Sequence, residues 1–232
     1  MLDQSRARAT FALFLLLQKA YRTCQMPLLV LGLSWLTALA GLFQANPAVW
    51  VAYGFVNPSL ALLPRVALVA IPGAKQRLNG LWLAPIEILS FLIILVNAPG
   101  SLAFHALGFQ YDRFLHFTSA FLVMLLAVPL FAPLVTHMPR RDERVKLVAI
   151  ASMFVFVGLF GFDGVQWSSD RLFGTELFHD ATQSINRDVR EDLMFGFIGL
   201  VTAVVTLRRS PKLWKWLTRG LQVPQDVIVE SP

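Results

Sequence analysis

Residues 112–135 read DRFLHFTSAFLVMLLAVPLFAPLV, an aspartate and a histidine at the head of a long apolar run that contains Pro129 and Pro133. A helix that crosses a bilayer needs about 20 mostly apolar residues, so this stretch predicts a membrane span. The two prolines remove backbone donors and are expected to kink its far half. Asp112 and His116 lie four residues apart and share one helix face, so the span opens on a polar pair. Such groups are costly against lipid and mark the side of a helix that faces its bundle.

The rest of the chain is of the same class. Its 232 residues are 56% hydrophobic and 15% charged, with a mean hydropathy of +0.61. Soluble domains carry about 25% charged residues. The single Cys24 excludes an intrachain disulfide and a cysteine-based zinc cluster. The net charge of +6 comes from basic residues in the short linkers between apolar runs. Charges placed there orient a membrane protein beside anionic lipid. No basic stripe with interleaved aromatics is present, so membrane lipids are the expected partners and nucleic acid is not.

Taken in order, residues 1–27 read as an amphipathic segment on the cytoplasmic face. Arg6 and Arg8 precede a short apolar run, Lys19 and Arg22 follow it, and no small-x-small cleavage site completes a secretory signal. Spans are expected at residues 28–43, 48–71, 81–96, 112–135, 147–167 and 193–207. Together they make a single transmembrane domain over residues 28–207. Residues 208–232 read as a basic and aromatic cytoplasmic tail, in which Lys212, Trp214, Lys215 and Trp216 suit a helix at headgroup level. Residues 101–110 read as interfacial, and residues 168–192 as a polar connection with six acidic and three basic side chains.

Orientation follows from Lys and Arg. Sixteen fall on the side of the two termini and four, Arg113, Arg171, Arg187 and Arg190, on the other. The positive-inside rule then places both termini in the cytoplasm. The fold expected is all-α, a polytopic helix bundle of about six transmembrane helices. Glu87 lies about two turns inside the third span, where a carboxylate needs a partner, and Arg65 at the exit of the second is the expected one. The pair reads as structural rather than as part of a transport path.

Helical rise brings the remaining acids together. Counting about 20 residues back from Arg208 and forward from Lys146 puts Asp188, Asp192 and Asp163 at the outer end of the bundle, the side on which Asp112 and His116 open their span. Asp163, Gln166 and Asp170 follow one helical stripe, and Asp188 and Asp192 another. Such a pocket either binds a divalent cation or is neutralised by Arg113, Arg171, Arg187 and Arg190. In the first case Asp112, His116, Asp163, Asp188 and Asp192 are the candidate ligands. Oxygen-rich ligation with one imidazole suits a single Mg²⁺, Mn²⁺, Fe²⁺ or Zn²⁺. Asp163 and Asp170 are the candidate catalytic carboxylates beside it. In the second case the acids form a salt-bridged belt that fixes helix packing. His105, His137 and His179 rank behind His116, as interfacial, cytoplasmic and loop residues.

Three motifs resemble those of the bacterial YjdF-like inner-membrane proteins and, more distantly, of the VanZ-like group. They are Tyr111-Asp112-Arg113-Phe114-Leu115-His116, Asp170-Arg171-Leu172-Phe173-Gly174-Thr175, and Asp188-Val189-Arg190-Glu191-Asp192-Leu193. The resemblance covers about residues 60–207 and implies a multi-pass protein of the bacterial inner membrane. VanZ-like members are linked to cell-envelope phenotypes, which implies lipid or wall chemistry by analogy. Where such proteins show two glutamates three apart, this chain holds Asp163 and Gln166. Asp163 keeps a carboxylate on a shorter arm, and Gln166 cannot act as a base, leaving Asp170 or Glu176 to replace it.

Three functions are consistent with these readings. One is a metal-dependent enzyme acting on a lipid or envelope substrate from the outer side. The second is a small transporter or proton-coupled carrier that uses Glu87, Asp163 and His116. The third is a non-enzymatic structural or partner-binding protein.

Overall fold

A computed structural model describes residues 26–41, 80–99, 111–135, 141–173 and 184–220, together with positions 62, 65, 66 and 70. Every regular element among the described residues is helical. Helix α1 is Met26–Gly41, and a 3-10 turn, Gly80–Trp82, leads into α2, Leu83–Pro99. Then come α3, Tyr111–Val135, α4, Arg141–Phe173, and α5, Ile185–Arg209. A short α6, Pro211–Leu217, follows. The amphipathic segment expected over residues 1–27, most of the span expected over residues 48–71 and the interfacial stretch 101–110 lie outside the described residues.

In hydrocarbon the backbone must satisfy its own polar groups, and an α-helix does so within one segment. Two helices are long and apolar enough to cross a membrane, over Tyr111–Pro133 and Arg144–Val165. Asn186–Arg209 with Pro211–Leu217 passes the same test as a pair bent by 101°. Within α2, Leu83–Val96 is a shorter apolar helix.

Helix α3 is the centre of the bundle, with its most extensive packing against α5 and further packing against α2 and α4. Met124, Val128 and Ala132, spaced at four residues, are fully buried along it. They meet Leu89 of α2, Leu147, Ala151 and Val155 of α4, and Leu200, Ala203 and Leu207 of α5. Helix α1 packs on α2 through Val30 and Ile94. The outer face of α4 is apolar yet uncovered, with Met153 66%, Phe154 56% and Val157 63% exposed. A contiguous apolar face of that kind is stable against lipid and not against water.

One close contact follows directly from a proline. Pro133 lies inside α3 and has no N–H, so the carbonyl four residues earlier, on Pro129, loses its helical donor. The indole Nε1 of Trp82 donates to that carbonyl at 2.8 Å in the buried interior. The 3-10 turn ahead of α2 therefore supplies the hydrogen bond that the proline removes.

The expected polar connection over residues 168–192 is corrected on both sides. Helix α4 continues to Phe173 and α5 already begins at Ile185, so Asp188 and Asp192 belong to helix. At 33 residues α4 is about 50 Å long, well beyond a hydrocarbon core of about 30 Å. Charged residues end the apolar run but not the helix, because once outside hydrocarbon they cost nothing there. On α5 the acid Asp188 also lies in the first turn, where it complements the helix dipole.

The basic and aromatic stretch after Arg209 folds as α6. Pro211 stands at its start, and the Ser210 hydroxyl accepts from the Leu213 amide at 3.3 Å. Trp214 and Leu217 turn into the main core while Lys212 and Lys215 stay exposed. The Arg144 guanidinium lies 5.3 Å over the Trp214 ring and ties α6 to the start of α4.

Candidate functional site

Asp112 and His116 occupy the first two turns of α3, one above the other, and face Asp192 of α5. The His116 Nε2 atom is 3.5 Å from Asp112 Oδ1 and 3.5 Å from Asp192 Oδ2. One donor atom from each of the three lies within 4.8 Å of the other two. Two atoms that each bind one ion at about 2.1 Å are held about 3.0–3.4 Å apart by octahedral or tetrahedral angles. The trio is thus spaced close to what one small divalent cation requires.

Burial decides what this spacing means. Asp163 and Asp188 are each 1% exposed and Asp192 3%. Asp192 also stands within hydrogen-bonding reach of Asp112. Carboxylates held together away from water repel unless a proton or a cation lies between them. Two of their oxygens, Asp163 Oδ2 and Asp192 Oδ1, are buried without a hydrogen-bond partner among the described residues. Buried polar atoms are ordinarily satisfied, so these two point to a partner that the described residues do not supply.

Helix α4 brings Asp163 to the same place, within electrostatic range of His116, Asp112 and Asp188. Of the two candidate catalytic carboxylates, Asp163 is thus positioned beside the trio. Asp170 lies further along α4, and its side chain, like that of Gln166, falls outside the described residues, as does Glu176.

Glycine sets how closely α3 and α5 approach. A Cβ built on Gly199 would lie 2.2 Å from the Phe117 carbonyl oxygen, so the two backbones are in direct contact there. Phe117 follows His116, and Gly199 is two turns along α5 from Asp192. The contact that permits this approach therefore lies just beneath the polar trio.

Glu191, inside the Asp188–Leu193 motif, is a functional residue whose role sequence alone does not show. It accepts from Arg113 Nε at 2.9 Å, with a second, shorter contact from Arg113 Nη2, and from Arg187 Nε at 3.1 Å. Two of the four arginines near the pocket, Arg113 and Arg187, thus both bind Glu191. Each helical residue turns by about 100°, which carries Glu191 off the buried Asp188 and Asp192 stripe and toward Arg113. The signal available in sequence was the Arg187 to Glu191 spacing of four. Because Arg113 adjoins Asp112 and Glu191 adjoins Asp192, this ion pair clamps the two helices beside the trio. Arg113 also lies 5.8 Å over the Phe195 ring. The remaining two arginines are exposed, and Arg171 lies 5.3 Å over Trp167.

Two further bonds hold this end together. The Trp167 indole donates to Asn186 Oδ1 at 3.0 Å and joins the end of α4 to the start of α5. The Tyr111 hydroxyl donates to the Val96 carbonyl at 2.5 Å. Val96 is among the last four residues of α2, whose carbonyls have no helical donor. Elsewhere in the bundle Glu87, 2% exposed, is held by Arg65 through both carboxylate oxygens, with Nη2 at 2.9 Å from Oε2.

Comparison with protein families places this architecture. The chain belongs to the family described as "Predicted membrane protein (DUF2238)", whose model matches residues 25–212. No curated protein and no solved structure matches it.

Proposed function

We propose that this protein binds a divalent cation through Asp112, His116 and Asp192 and acts with it, as an enzyme, on a lipid or envelope-linked substrate. The observation that carries the reading is the trio of donor atoms within 4.8 Å, together with two buried carboxylate oxygens that have no partner among the described residues. Mg²⁺, Mn²⁺, Fe²⁺ and Zn²⁺ all accept this donor set. A bound cation supplies Lewis acidity and a more acidic water. Asp112, His116 and Asp192 position that chemistry, and Asp163 adds a neighbouring carboxylate as a further ligand or as a proton acceptor.

A salt-bridged structural belt would leave its buried oxygens satisfied, and among the described residues Asp163 Oδ2 and Asp192 Oδ1 have no partner. A carrier would need an acid along its path, and Glu87 is already engaged by Arg65. The wider reading is of six spans with both termini cytoplasmic, in the bacterial inner membrane. On it the trio opens outward, and the motifs at Asp112, Asp170 and Asp188 ally the chain with YjdF-like and, more distantly, VanZ-like proteins.

The test is Mn²⁺ titration of the detergent-purified chain by calorimetry and electron paramagnetic resonance. Binding by the native protein, with loss of at least tenfold in affinity in His116→Ala and Asp192→Asn, is expected. A native protein that takes up no Mn²⁺, Fe²⁺ or Zn²⁺ sinks the proposal. Orientation is checked by labelling Arg187→Cys in a Cys24→Ser background with an impermeant maleimide on intact cells, where outward labelling is expected.

A further inference from the structure

The other end of the bundle carries a surface of opposite charge. Arg208 lies 16 residues beyond Asp192 on α5, about 24 Å along the helix from the trio. There α6 turns away from α5 by 101°. Helix α5 packs most extensively against α3, which is long and apolar enough to cross a membrane. A helix set nearly at right angles to such neighbours runs along the bilayer surface.

The apolar side chains of α6 are already engaged by the protein. Trp214 and Leu217 are part of the main core, and Leu213 and Trp216 pack against it. Lys212 and Lys215, three residues apart, share the opposite face and are exposed. Arg208 and Arg209, at the end of α5, are exposed and separated from α6 only by Ser210. Arg144 of α4 is exposed as well and is held at this place by its contact with the Trp214 ring. Five cations from three helices thus gather around a helix about 10 Å long, and none of the salt bridges among the described residues uses them.

We infer that Arg144, Arg208, Arg209, Lys212 and Lys215 form a binding surface for the phosphate headgroups of anionic phospholipid. The packing of α6 decides the mode of binding. With its tryptophans and leucines turned into the bundle, α6 does not insert an apolar face into lipid, as an amphipathic surface helix does. What it presents is charge alone, fixed in position by the core beneath it. Such a surface discriminates between anionic and zwitterionic headgroups and weakens as salt rises.

The experiment titrates phosphatidylglycerol, or phosphatidylcholine in parallel, into the full chain purified in neutral detergent, with bound lipid counted by native mass spectrometry. Tighter binding of phosphatidylglycerol is expected, declining with added salt. Each cation at an anionic surface is worth about fivefold in association. Lys212→Gln with Lys215→Gln should therefore weaken phosphatidylglycerol binding by about fivefold per cation removed and leave phosphatidylcholine unaffected. Lys212→Arg with Lys215→Arg keeps the charge and should bind as the native chain does. Both changes fall on exposed side chains, and size-exclusion profiles and thermal unfolding should match the native protein. Arg171→Gln with Arg190→Gln removes two exposed cations at the trio's end and should leave the preference intact. Equal binding of the two lipids by the native chain overturns the inference. So does a preference that survives in Lys212→Gln with Lys215→Gln, or one lost equally in Arg171→Gln with Arg190→Gln, which would make it a matter of total charge.

Discussion

Replacing Gly199 by alanine will force α3 and α5 apart. The new methyl would sit 2.2 Å from the Phe117 carbonyl oxygen, 3.0 Å from its carbonyl carbon and 3.1 Å from its Cα. All three are backbone atoms, so no rotamer change relieves the contact. Regaining an ordinary separation of 3.4 Å requires the helices to part by roughly 1.2 Å. Overpacking of this kind costs about 1–3 kcal/mol. The better helix propensity of alanine returns up to about 1 kcal/mol, so a net loss of about 1–2 kcal/mol is expected. The same displacement widens the 3.5 Å spacing between His116 and Asp192, and Mn²⁺ affinity should fall by about 10- to 100-fold, as when a supporting shell is removed. Thermal unfolding in detergent and Mn²⁺ titration measure the two effects. Gly196→Ala is the control, because its methyl meets only the flexible end of Leu159 at 3.2 Å, and it should stay near native in both assays. A Gly199→Ala protein with native stability and affinity would refute the link between the close helix contact and the site.

Three further outcomes follow from named contacts. Trp82→Phe leaves the Pro129 carbonyl without its donor in the buried interior and should cost about 1–3 kcal/mol in denaturant unfolding; a neutral result would mean that another group satisfies the carbonyl. Arg65→Met leaves Glu87 buried beside no cation. The loss should be about 3 kcal/mol, the low end for a buried pair because Arg65 is 33% exposed, and Arg65→Met with Glu87→Leu should recover most of it; no recovery in the double variant would show that the loss has another source. Glu191→Gln releases Arg113 and Arg187 and should weaken Mn²⁺ binding while Asp112, His116 and Asp192 are all retained. Exchanging the charges, Arg113→Glu with Glu191→Arg, should restore part of that affinity, and equal affinity in native and Glu191→Gln proteins would remove Glu191 as a positioning residue.

Residue types and their spacing carried much of this architecture. The apolar run of residues 112–135 anticipated α3 to within a residue, because a bilayer demands one long helix and few sequences meet that demand. The helix ends were less legible. The apolar runs end at Trp167 and begin again at Leu193, and the end of apolarity is not the end of a helix. In fact α4 reaches Phe173 and α5 starts at Ile185, because a helix that leaves hydrocarbon continues as long as its backbone bonds and neighbouring packing sustain it. The role of Glu191 is illegible in sequence for a related reason. Its partner Arg113 is 78 residues away, and no local pattern links a residue on α5 to one on α3.

Sequence alone determined that this chain is helical and belongs in a membrane, because hydropathy is a sum over residues and needs no knowledge of neighbours. It also determined that Asp112 with His116, and Asp188 with Asp192, would each share a helix face, since that depends only on the helical repeat. Tertiary structure decided which of those faces meet. The backbone contact of Gly199 with Phe117, the Glu191 clamp and the depth of Asp163 on α4 bring acids from three helices into one pocket. Such proximity depends on how helices dock, a property of pairs of surfaces that no single stretch of sequence contains.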